Sequence, residues 1–322
     1  MKLAMIYSFL KQDLAAIEQA VNETIQSDNP VLREASSQLL NAGGKRIRPV
    51  FVLLAGKFGD YQLDQMKAVA VSLELIHTAS LVHDDVIDEA EMRRGEPTIK
   101  SKWDNRIAMY TGDYIFARSL ENLTTINNPR AHQVLAETMV ELCLGEIEQI
   151  KDKYNLEQNV RRYLRRIKRK TAILIAASCR MGAIAANVSE VEEKALQRYG
   201  YYVGMSYQII DDILDFTASE KELGKPSGSD LIQGNITLPV LYSLEDPELK
   251  SDLMSVFLRE DKTPDDFEKV ITKIKTNGSI ERSFELSDRY LKKAYEALSQ
   301  LPQNRAKQTL KGIAKYIGKR RA

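Results

Sequence analysis

The sequence predicts an all-helical protein, with residues 1–322 forming a single domain built as a large helical bundle. Apolar residues recur at steps of three and four through most of the chain, which is the period of a helix face packed against a core. No segment alternates apolar and polar residues over the length of a strand. The chain also shows no internal repeat and no low-complexity segment, so ordinary helices must build the core.

Proline, glycine and asparagine turn signals divide this helical pattern into elements. We expect helices over residues 3–27, 31–42, 50–58, 62–90, 103–126, 130–153, 190–216 and, interrupted by several prolines, 236–318. Before residue 190, a basic stretch leads into an apolar helical run that begins at Thr171.

The composition is that of a globular protein without a strong overall charge. Hydrophobic residues make up 43%, and 46 basic against 45 acidic residues leave a net charge of +1, so no global field attracts nucleic acid. Cys143 and Cys179 make neither a zinc spacing nor a disulfide framework, which fits a reducing compartment. The N-terminal residues lack a signal-peptide core, and the most apolar run is broken by Arg180. We therefore expect a cytoplasmic protein that does not span a membrane.

A loop without acidic residues follows the second predicted helix. Residues 43–49, here called the basic loop, read Gly-Gly-Lys-Arg-Ile-Arg-Pro. The two glycines let the backbone approach a ligand, and Lys45 and Arg48 match phosphate oxygens. An anion is the expected guest. The alternative is a helix C-cap whose basic residues are favoured by the helix dipole.

An acidic cluster ends the helix predicted over 62–90. His77, Asp84 and Asp88 fall near one line of that helix, because a seven-residue step turns it almost twice. Like charges four residues apart destabilise a helix, so we expect a cation beside them. Carboxylate oxygens suit Mg²⁺, which commonly binds one or two carboxylates together with the phosphates of a substrate. A solvated acidic helix end is the alternative for a single copy of Asp-Asp-x-x-Asp.

The same pattern recurs at the end of a second long apolar helix, as Asp211, Asp212 and Asp215. We call Asp84, Asp85 and Asp88 the first acidic cluster, and this later triplet the second acidic cluster. Two copies in equivalent settings favour a clamp of several metal ions for a diphosphate. Residues 217–235 follow, rich in glycine and serine around Lys225, and this composition suggests a loop able to close over a ligand.

The densest charge run is the basic stretch 161–170. Read alone, it suggests a nucleic-acid or anionic-lipid patch. We favour a solvated helix face, because three residues within it keep an apolar stripe: Tyr163, Leu164 and Ile167. Lys170 differs, since with Thr171 it opens the apolar run where that helix enters the interior. An ordinary polar face is the interpretation for Glu146, Glu148 and Gln149.

Together these motifs resemble the trans-isoprenyl diphosphate synthases, over nearly the whole chain. The matching stretches, in the family's order, are 43–49, His77 with the first acidic cluster, Arg93-Arg94, Lys170-Thr171, Gln208 with the second acidic cluster, and Gly224-Lys225. The resemblance implies the isoprenoid synthase type I fold, a helical bundle around a deep apolar cavity with both acidic clusters at its mouth. It also implies the head-to-tail condensation of isopentenyl diphosphate with an allylic diphosphate, giving a long all-trans chain.

The resemblance implies roles for individual residues, with the six aspartates and Lys170 as the catalytic set. Several Mg²⁺ ions, bridging the acidic clusters to the allylic diphosphate, would be held by Asp84, Asp88 and Asp211, with Asp85, Asp212 and Asp215 in support. The same diphosphate would be bound by Arg93, Lys170, Thr171, Gln208 and Lys225. Isopentenyl diphosphate would be bound by Lys45, Arg48, His77 and Arg94.

Chain length would be set by Ile76, Ala79 and Ser80, of which Ala79 and Ser80 lie about one helical turn deeper than Asp84. Ala79 and Ser80 are small where short-chain relatives carry aromatic residues, so we expect the growing chain to pass deeper. The overall likeness is greatest to the heptaprenyl-forming synthases of bacilli. It implies a heptaprenyl product for menaquinone, a farnesyl or longer starter, and a small dissimilar partner subunit called component I.

Three alternatives stay open. One is a homodimeric synthase with another product, hexaprenyl or octaprenyl diphosphate. Another is a terpene cyclase, which would not need Lys45, Arg48 and Arg94 for a second diphosphate. The last is a non-catalytic subunit of the same fold, against which the intact acidic clusters argue.

Overall fold

The structure, a computed structural model, describes residues 3–41, 46–219 and 226–321. This part of the chain is helical almost throughout. Its α-helices are α1 (Leu3–Ile6), α2 (Lys11–Thr24), α3 (Pro30–Asn41), α4 (Ile47–Gly56), α5 (Leu63–Ile87), α6 (Ile99–Lys102), α7 (Asn105–Leu123), α8 (Pro129–Asp152), α9 (Val160–Ile167), α10 (Ile173–Ala185), α11 (Glu190–Thr217), α12 (Ser229–Ile232), α13 (Leu238–Ser243), α14 (Pro247–Phe257), α15 (Glu268–Thr276), α16 (Ser279–Ser299) and α17 (Arg305–Gly318). Two 3₁₀ turns, Ser8–Leu10 and Pro264–Phe267, and one π-helical segment, Lys168–Ala172, complete the helical elements.

The helical class predicted from the sequence is therefore confirmed, although the boundaries of several helices differ from those expected. The helix expected over 3–27 is broken by the 3₁₀ turn Ser8–Leu10, and the one expected over 103–126 begins only at Asn105. Asp104 ends the preceding segment because its carboxylate accepts a hydrogen bond from the Ile107 backbone N–H at 2.7 Å, which makes it an N-cap.

A short β-hairpin, which the helical pattern did not predict, follows the first acidic cluster. Strand β1 (Met92–Arg93) pairs antiparallel with β2 (Glu96–Pro97). The two-residue turn between them places Arg94 at φ 55° and Gly95 at φ 84°. Left-handed φ angles at both turn positions match the twist of a hairpin. The turn signal at Gly95 was visible in the sequence, but two-residue strands are too short to show alternation.

Within the described residues, the chain divides into two compact units. The first consists of the residues up to Met139 together with Ala177–Gln197 and Pro302–Thr309. The second consists of Val140–Ala176, Arg198–Leu301 and the residues from Leu310 onward. The expectation of a single domain over residues 1–322 stays a prediction.

Helix α5 is the central element of the first unit and packs against α2, α4 and α7. It is buried on all sides along most of its length, from Met66 to Ala79. A helix that is apolar all round belongs in a core, which is why the sequence shows such a dense apolar run here. The first acidic cluster lies at the C-terminal end of this buried helix.

Helix α11 carries the second acidic cluster, and its C-terminal half contributes to the core of the second unit. Met205, Ile209, Ile213 and Phe216 are fully buried there, at the three- and four-residue steps of one helix face. Leu231 of α12 belongs to the same core. In the part of the chain that the structure describes, no helix combines the length and the apolar character needed to cross a bilayer.

Candidate active site

The first acidic cluster is positioned by the way α5 ends. The backbone N–H of Ala90 donates to the Asp85 carbonyl at 2.9 Å, and that of Glu89 donates to the Val86 carbonyl. Glu89 has the left-handed φ of 51°. This is a Schellman termination with glutamate where glycine is usual, so α5 ends at Ile87 rather than at residue 90. Asp88 is consequently the residue after the helix, and its N–H still donates to the Asp84 carbonyl at 2.8 Å.

The three aspartates of the first acidic cluster have different surroundings. Asp84 and Asp85 are buried, with 8% and 2% of their surface exposed, whereas Asp88 is half-buried. Asp85 accepts a hydrogen bond from Arg93 Nε at 2.6 Å. Burial raises the pKa of the Asp85 carboxyl, and the positive charge of Arg93 opposes that rise. Asp85 is therefore committed to an ion pair inside the protein, and the β-hairpin supplies its partner.

A pocket beside this cluster brings several of the predicted residues together. His77, Asp85, Arg93 and Arg94 all line it. Desolvation lowers the pKa of His77 well below its usual value, and the nearby guanidinium groups of Arg48 and Arg94 lower it further. His77 is therefore held in its neutral form, in a pocket whose lining includes both arginines and carboxylates. Of the other residues expected to bind diphosphates, Lys45 and Lys225 lie outside the described part of the chain.

The second acidic cluster is held by hydrogen bonds within its own unit. Tyr163 Oη donates to Asp212 Oδ2 at 2.7 Å, and Gln208 Nε2 donates to Asp212 Oδ1 at 2.7 Å. Asp215 accepts from Ser229 Oγ at 2.8 Å and from a backbone N–H of α12 at 3.1 Å. Asp212 and Asp215 are buried, at 3% and 1% exposure. Both carboxylates thus serve to connect neighbouring helices.

Burial raises the pKa of Asp212 to about 7, and the charge of Asp230 adds to this rise. The hydrogen bonds from Gln208 and Tyr163 oppose it, because they stabilise the charged form. Asp211 is more accessible and accepts a hydrogen bond from Arg320 Nη1 at 2.7 Å. Arg320 lies in the run Lys319-Arg320-Arg321 near the end of the sequence, and no role for this run could be read from the residues alone.

The π-helical segment Lys168–Ala172 carries the predicted pair Lys170 and Thr171. Lys170 Nζ donates to Gln149 Oε1 at 2.8 Å and lies 3.6 Å from Glu146 Oε2. Thr171 Oγ1 donates to Gln208 Oε1 at 2.5 Å. A chain of hydrogen bonds therefore runs from Thr171 through Gln208 to Asp212. Single π turns inside longer helices occur frequently at functional sites.

The structure corrects one interpretation of the surrounding charges and qualifies another. Gln149, Glu146 and Glu148 are not an ordinary polar face, because the first two contact Lys170 and Glu148 pairs with Arg169. The basic stretch 161–170 is solvated only in part. Its apolar residues Tyr163 and Ile167 are buried as expected.

Arg166, within the same stretch, is also buried. Its Nη1 donates to Gln158 Oε1 at 2.7 Å and to Asp152 Oδ2 at 3.1 Å, and its Nη2 donates to the Ile236 carbonyl at 2.5 Å. A buried guanidinium requires such partners, and one of them, the Ile236 carbonyl, comes from 70 residues away in the sequence.

The residues expected to set chain length lie on α5, on the N-terminal side of the first acidic cluster. Ile76 and Ala79 are fully buried, at 0% exposure. Ser80 is half-buried, and its hydroxyl donates to the His77 carbonyl at 2.8 Å. Their role in chain length stays a prediction.

Metal binding has to be judged from the donor groups present. Within residues 3–41, 46–219 and 226–321, no group of three or more histidine, cysteine, aspartate or glutamate side chains is close enough to hold a metal ion. The aspartates of the two acidic clusters, which are buried or half-buried, nevertheless provide carboxylate oxygens as possible metal ligands. Such sets fit Mg²⁺, which needs only one or two carboxylates when phosphate oxygens complete its shell.

Comparisons with known proteins show the family of the chain and relatives of the same fold. Residues 29–274 match the family model described as polyprenyl synthetase. The chain is 62% identical over 321 residues to heptaprenyl diphosphate synthase component 2 of Bacillus subtilis, covering 100% of this chain and 92% of that protein.

Solved structures match over the whole fold. The heptaprenyl diphosphate synthase of Staphylococcus aureus has a TM-score of 0.91 at 44% identity, covering 96% of this chain and 98% of that one. A polyprenyl synthase of Caulobacter crescentus, complexed with calcium and isoprenyl diphosphate, has a TM-score of 0.94 at 30% identity, covering 100% and 98%. That relative binds a divalent cation together with a prenyl diphosphate.

Proposed function

Because this chain belongs to the polyprenyl synthetase family, we propose that it condenses isopentenyl diphosphate head-to-tail with an allylic diphosphate to form heptaprenyl diphosphate. Family membership confirms the resemblance read from the motifs, and the structural matches confirm the all-helical isoprenoid synthase type I fold. The observation that carries the choice of product is the 62% identity, over the full length of this chain, to a heptaprenyl synthase component. Menaquinone side-chain synthesis is the proposed use of that product.

The reaction begins with heterolysis of the allylic carbon–oxygen bond, and both bonding electrons leave with the diphosphate. Groups that bind the leaving diphosphate stabilise charge where it develops. We assign this role to Lys170, Thr171 and Gln208, together with Arg93 and Lys225. The connection of Lys170 to Gln149 and of Thr171 to Gln208 supports the first three assignments, because it holds these side chains in fixed positions.

Carbon–carbon bond formation requires isopentenyl diphosphate beside the allylic cation. The π electrons of its double bond form the new bond, and loss of a proton restores a double bond, so no side-chain nucleophile is needed. We assign the binding of its diphosphate to Arg48, His77 and Arg94, with Lys45. The pocket that His77 and Arg94 line, and the effect of Arg48 on the pKa of His77, support three of these assignments.

We propose Mg²⁺ as the metal, as several ions, with Asp84 and Asp88 as the ligands from the first acidic cluster and Asp211 as the ligand from the second. When bound, it would neutralise charge on the leaving diphosphate. Asp85, Asp212 and Asp215 would act in support, because each is buried and hydrogen-bonded to a neighbouring protein group.

We also propose that this chain works with a small dissimilar partner subunit, since its 62% identical relative is named as component 2. A homodimer is the competing arrangement. The cytoplasm is the proposed location, and it is supported by two free cysteines, of which Cys143 is exposed.

Replacing Ser80 with phenylalanine is expected to shorten the main product. A bulky ring one turn below Asp84 would close the path of the growing chain. The product distribution of the variant, separated by chain length, is the measurement. Ser80→Ala serves as the control, because it stays small and should leave the distribution unchanged. Equal product lengths from Ser80→Phe and the parent would remove Ser80 from the chain-length pocket.

The proposed function is tested by assaying the purified chain with labelled isopentenyl diphosphate, farnesyl diphosphate and Mg²⁺, alone and with a candidate small subunit. We expect label in heptaprenyl diphosphate when both subunits are present, and little when the chain is alone. Full heptaprenyl synthesis by the isolated chain would contradict the partner requirement. A cyclic hydrocarbon without label would contradict the proposed reaction.

A further inference from the structure

Arg46 has a backbone conformation that requires an explanation. It precedes α4 as its N-cap residue, with φ 43° and ψ 39°. This left-handed conformation costs a non-glycine residue roughly 1–2 kcal/mol. Such strain persists only where surrounding contacts impose it, and it is concentrated at functional sites. The side chain of Arg46 shows which contacts do so.

The guanidinium of Arg46 joins two carboxylates from different helices. Its Nε and Nη2 donate to the two carboxylate oxygens of Glu18, both at 2.8 Å, and its Nη1 donates to Glu74 Oε1 at 3.0 Å. Glu18 lies on α2 and Glu74 on α5. Bidentate guanidinium–carboxylate pairs are strong and geometrically specific. Arg46 therefore fixes the start of α4 against both helices.

The position of this contact connects it to the pocket beside the first acidic cluster. Glu74 lies on α5 one turn before His77, and Arg48 follows Arg46 by two residues. Arg46 and Glu74 both line the pocket with His77 and Arg94. The separation of Arg48 from His77 thus depends on how α4 starts.

The contact also contributes to the charge of the pocket wall, which Asp85, Arg93, Arg94 and Glu96 share. The Glu74 side chain is only 4% exposed, and its second oxygen, Oε2, is buried and accepts no hydrogen bond from the residues that the structure describes. Removing one member of a buried ion pair leaves an uncompensated charge. Without Arg46, an anionic Glu74 would repel an anionic ligand from the pocket.

We propose that Arg46 is a positioning residue for the isopentenyl diphosphate subsite. Its ion pairs with Glu18 and Glu74 fix Arg48 relative to His77, and the pair with Glu74 also offsets the charge of that carboxylate. This inference rests on the proposed function. It assigns Arg46 no contact with the allylic substrate, so the two substrates should respond differently to its replacement.

The test measures KM for each substrate separately in Arg46→Lys, using the chain with any required partner subunit. Lysine keeps the charge but cannot reproduce a bidentate fork. We expect KM for isopentenyl diphosphate to rise roughly tenfold, because a misplaced binding group weakens the interaction with its substrate. KM for the allylic diphosphate and kcat should change less than about twofold. Arg118→Lys is the control. Like Arg46, Arg118 forms an ion pair with a glutamate, Glu121, and it donates a hydrogen bond to the Thr24 carbonyl, but it does not line the pocket.

Charge neutralisation is tested by removing the charges in pairs. Arg46→Gln should raise KM for isopentenyl diphosphate more than Arg46→Lys does. The double variant Arg46→Gln, Glu74→Gln should recover only the part of that loss that exceeds the effect of Arg46→Lys, because it removes the uncompensated Glu74 charge but does not restore the position of Arg48. Glu18→Gln keeps the Arg46–Glu74 contact and provides a milder variant should the others fold poorly. We expect it to raise the same KM by a smaller factor.

Equal rises in KM for both substrates, or a lower melting temperature with an unchanged KM for isopentenyl diphosphate, would overturn the proposal and leave Arg46 as a structural residue. These results are distinguishable from a failure of the proposed function. If the proposed function were wrong, the parental chain itself, with any required partner subunit, would incorporate no isopentenyl diphosphate.

Discussion

Asp84→Asn is expected to lower kcat by about 10²–10³-fold, the range found when one group that stabilises transition-state charge is lost. Asparagine keeps the size of the side chain but removes the negative charge proposed to hold Mg²⁺. Steady-state kinetics at saturating concentrations of both substrates gives the value. Raising the Mg²⁺ concentration should restore only part of the rate.

The control for this variant lies on the same helix. Asp64→Asn makes the same exchange in the first turn of α5, where the side chain is 93% exposed and pairs with Lys67 at 2.8 Å. An exposed pair of this kind contributes little, so we expect kcat within about twofold of the parent. If Asp84→Asn folded normally and behaved like Asp64→Asn, the first acidic cluster would not be a metal site.

Lys170→Gln is expected to lower kcat/KM for the allylic diphosphate by roughly 10–100-fold, because one charge-assisted hydrogen bond to the substrate is lost. Its effect on KM for isopentenyl diphosphate should be small. The pair of KM values is the measurement, and Lys168→Gln is the matched control. Lys168 lies in the same π-helical segment but pairs with Glu141 at 3.2 Å.

Equal effects of Lys170→Gln on both substrates would mean that the variant disturbs the segment as a whole. The assignment of Lys170 to the allylic diphosphate would then be withdrawn. A loss of the same size in Lys168→Gln would lead to the same conclusion.

Helical periodicity predicted the elements that carry both acidic clusters. The helix expected over 62–90 is α5 (Leu63–Ile87), and the one expected over 190–216 is α11 (Glu190–Thr217). Long apolar helices give a strong periodic signal because one or more faces must be buried. The end of α5 was less predictable, because the residue that ends the helix with a left-handed φ is Glu89, whereas glycine is the usual residue at this position.

Contacts between distant residues could not be read from local spacing. Tyr163 and Asp212 are 49 residues apart, and Arg320 and Asp211 are 109 apart. The basic stretch 161–170 shows the same limit, since the burial of Arg166 depends on Asp152, Gln158 and the Ile236 carbonyl. The motif pattern predicts which residues carry chemistry, whereas the folded chain shows which groups hold them in place.

The most direct test of prenyl transfer counts diphosphate released against isopentenyl units incorporated. The assay uses the chain with any required partner subunit, labelled isopentenyl diphosphate and an allylic starter. Head-to-tail condensation predicts one diphosphate released for each unit added in Mg²⁺ buffer, and neither event after chelation of the metal. Diphosphate release without incorporation of label would contradict prenyl transfer and indicate cyclisation or hydrolysis of the allylic substrate.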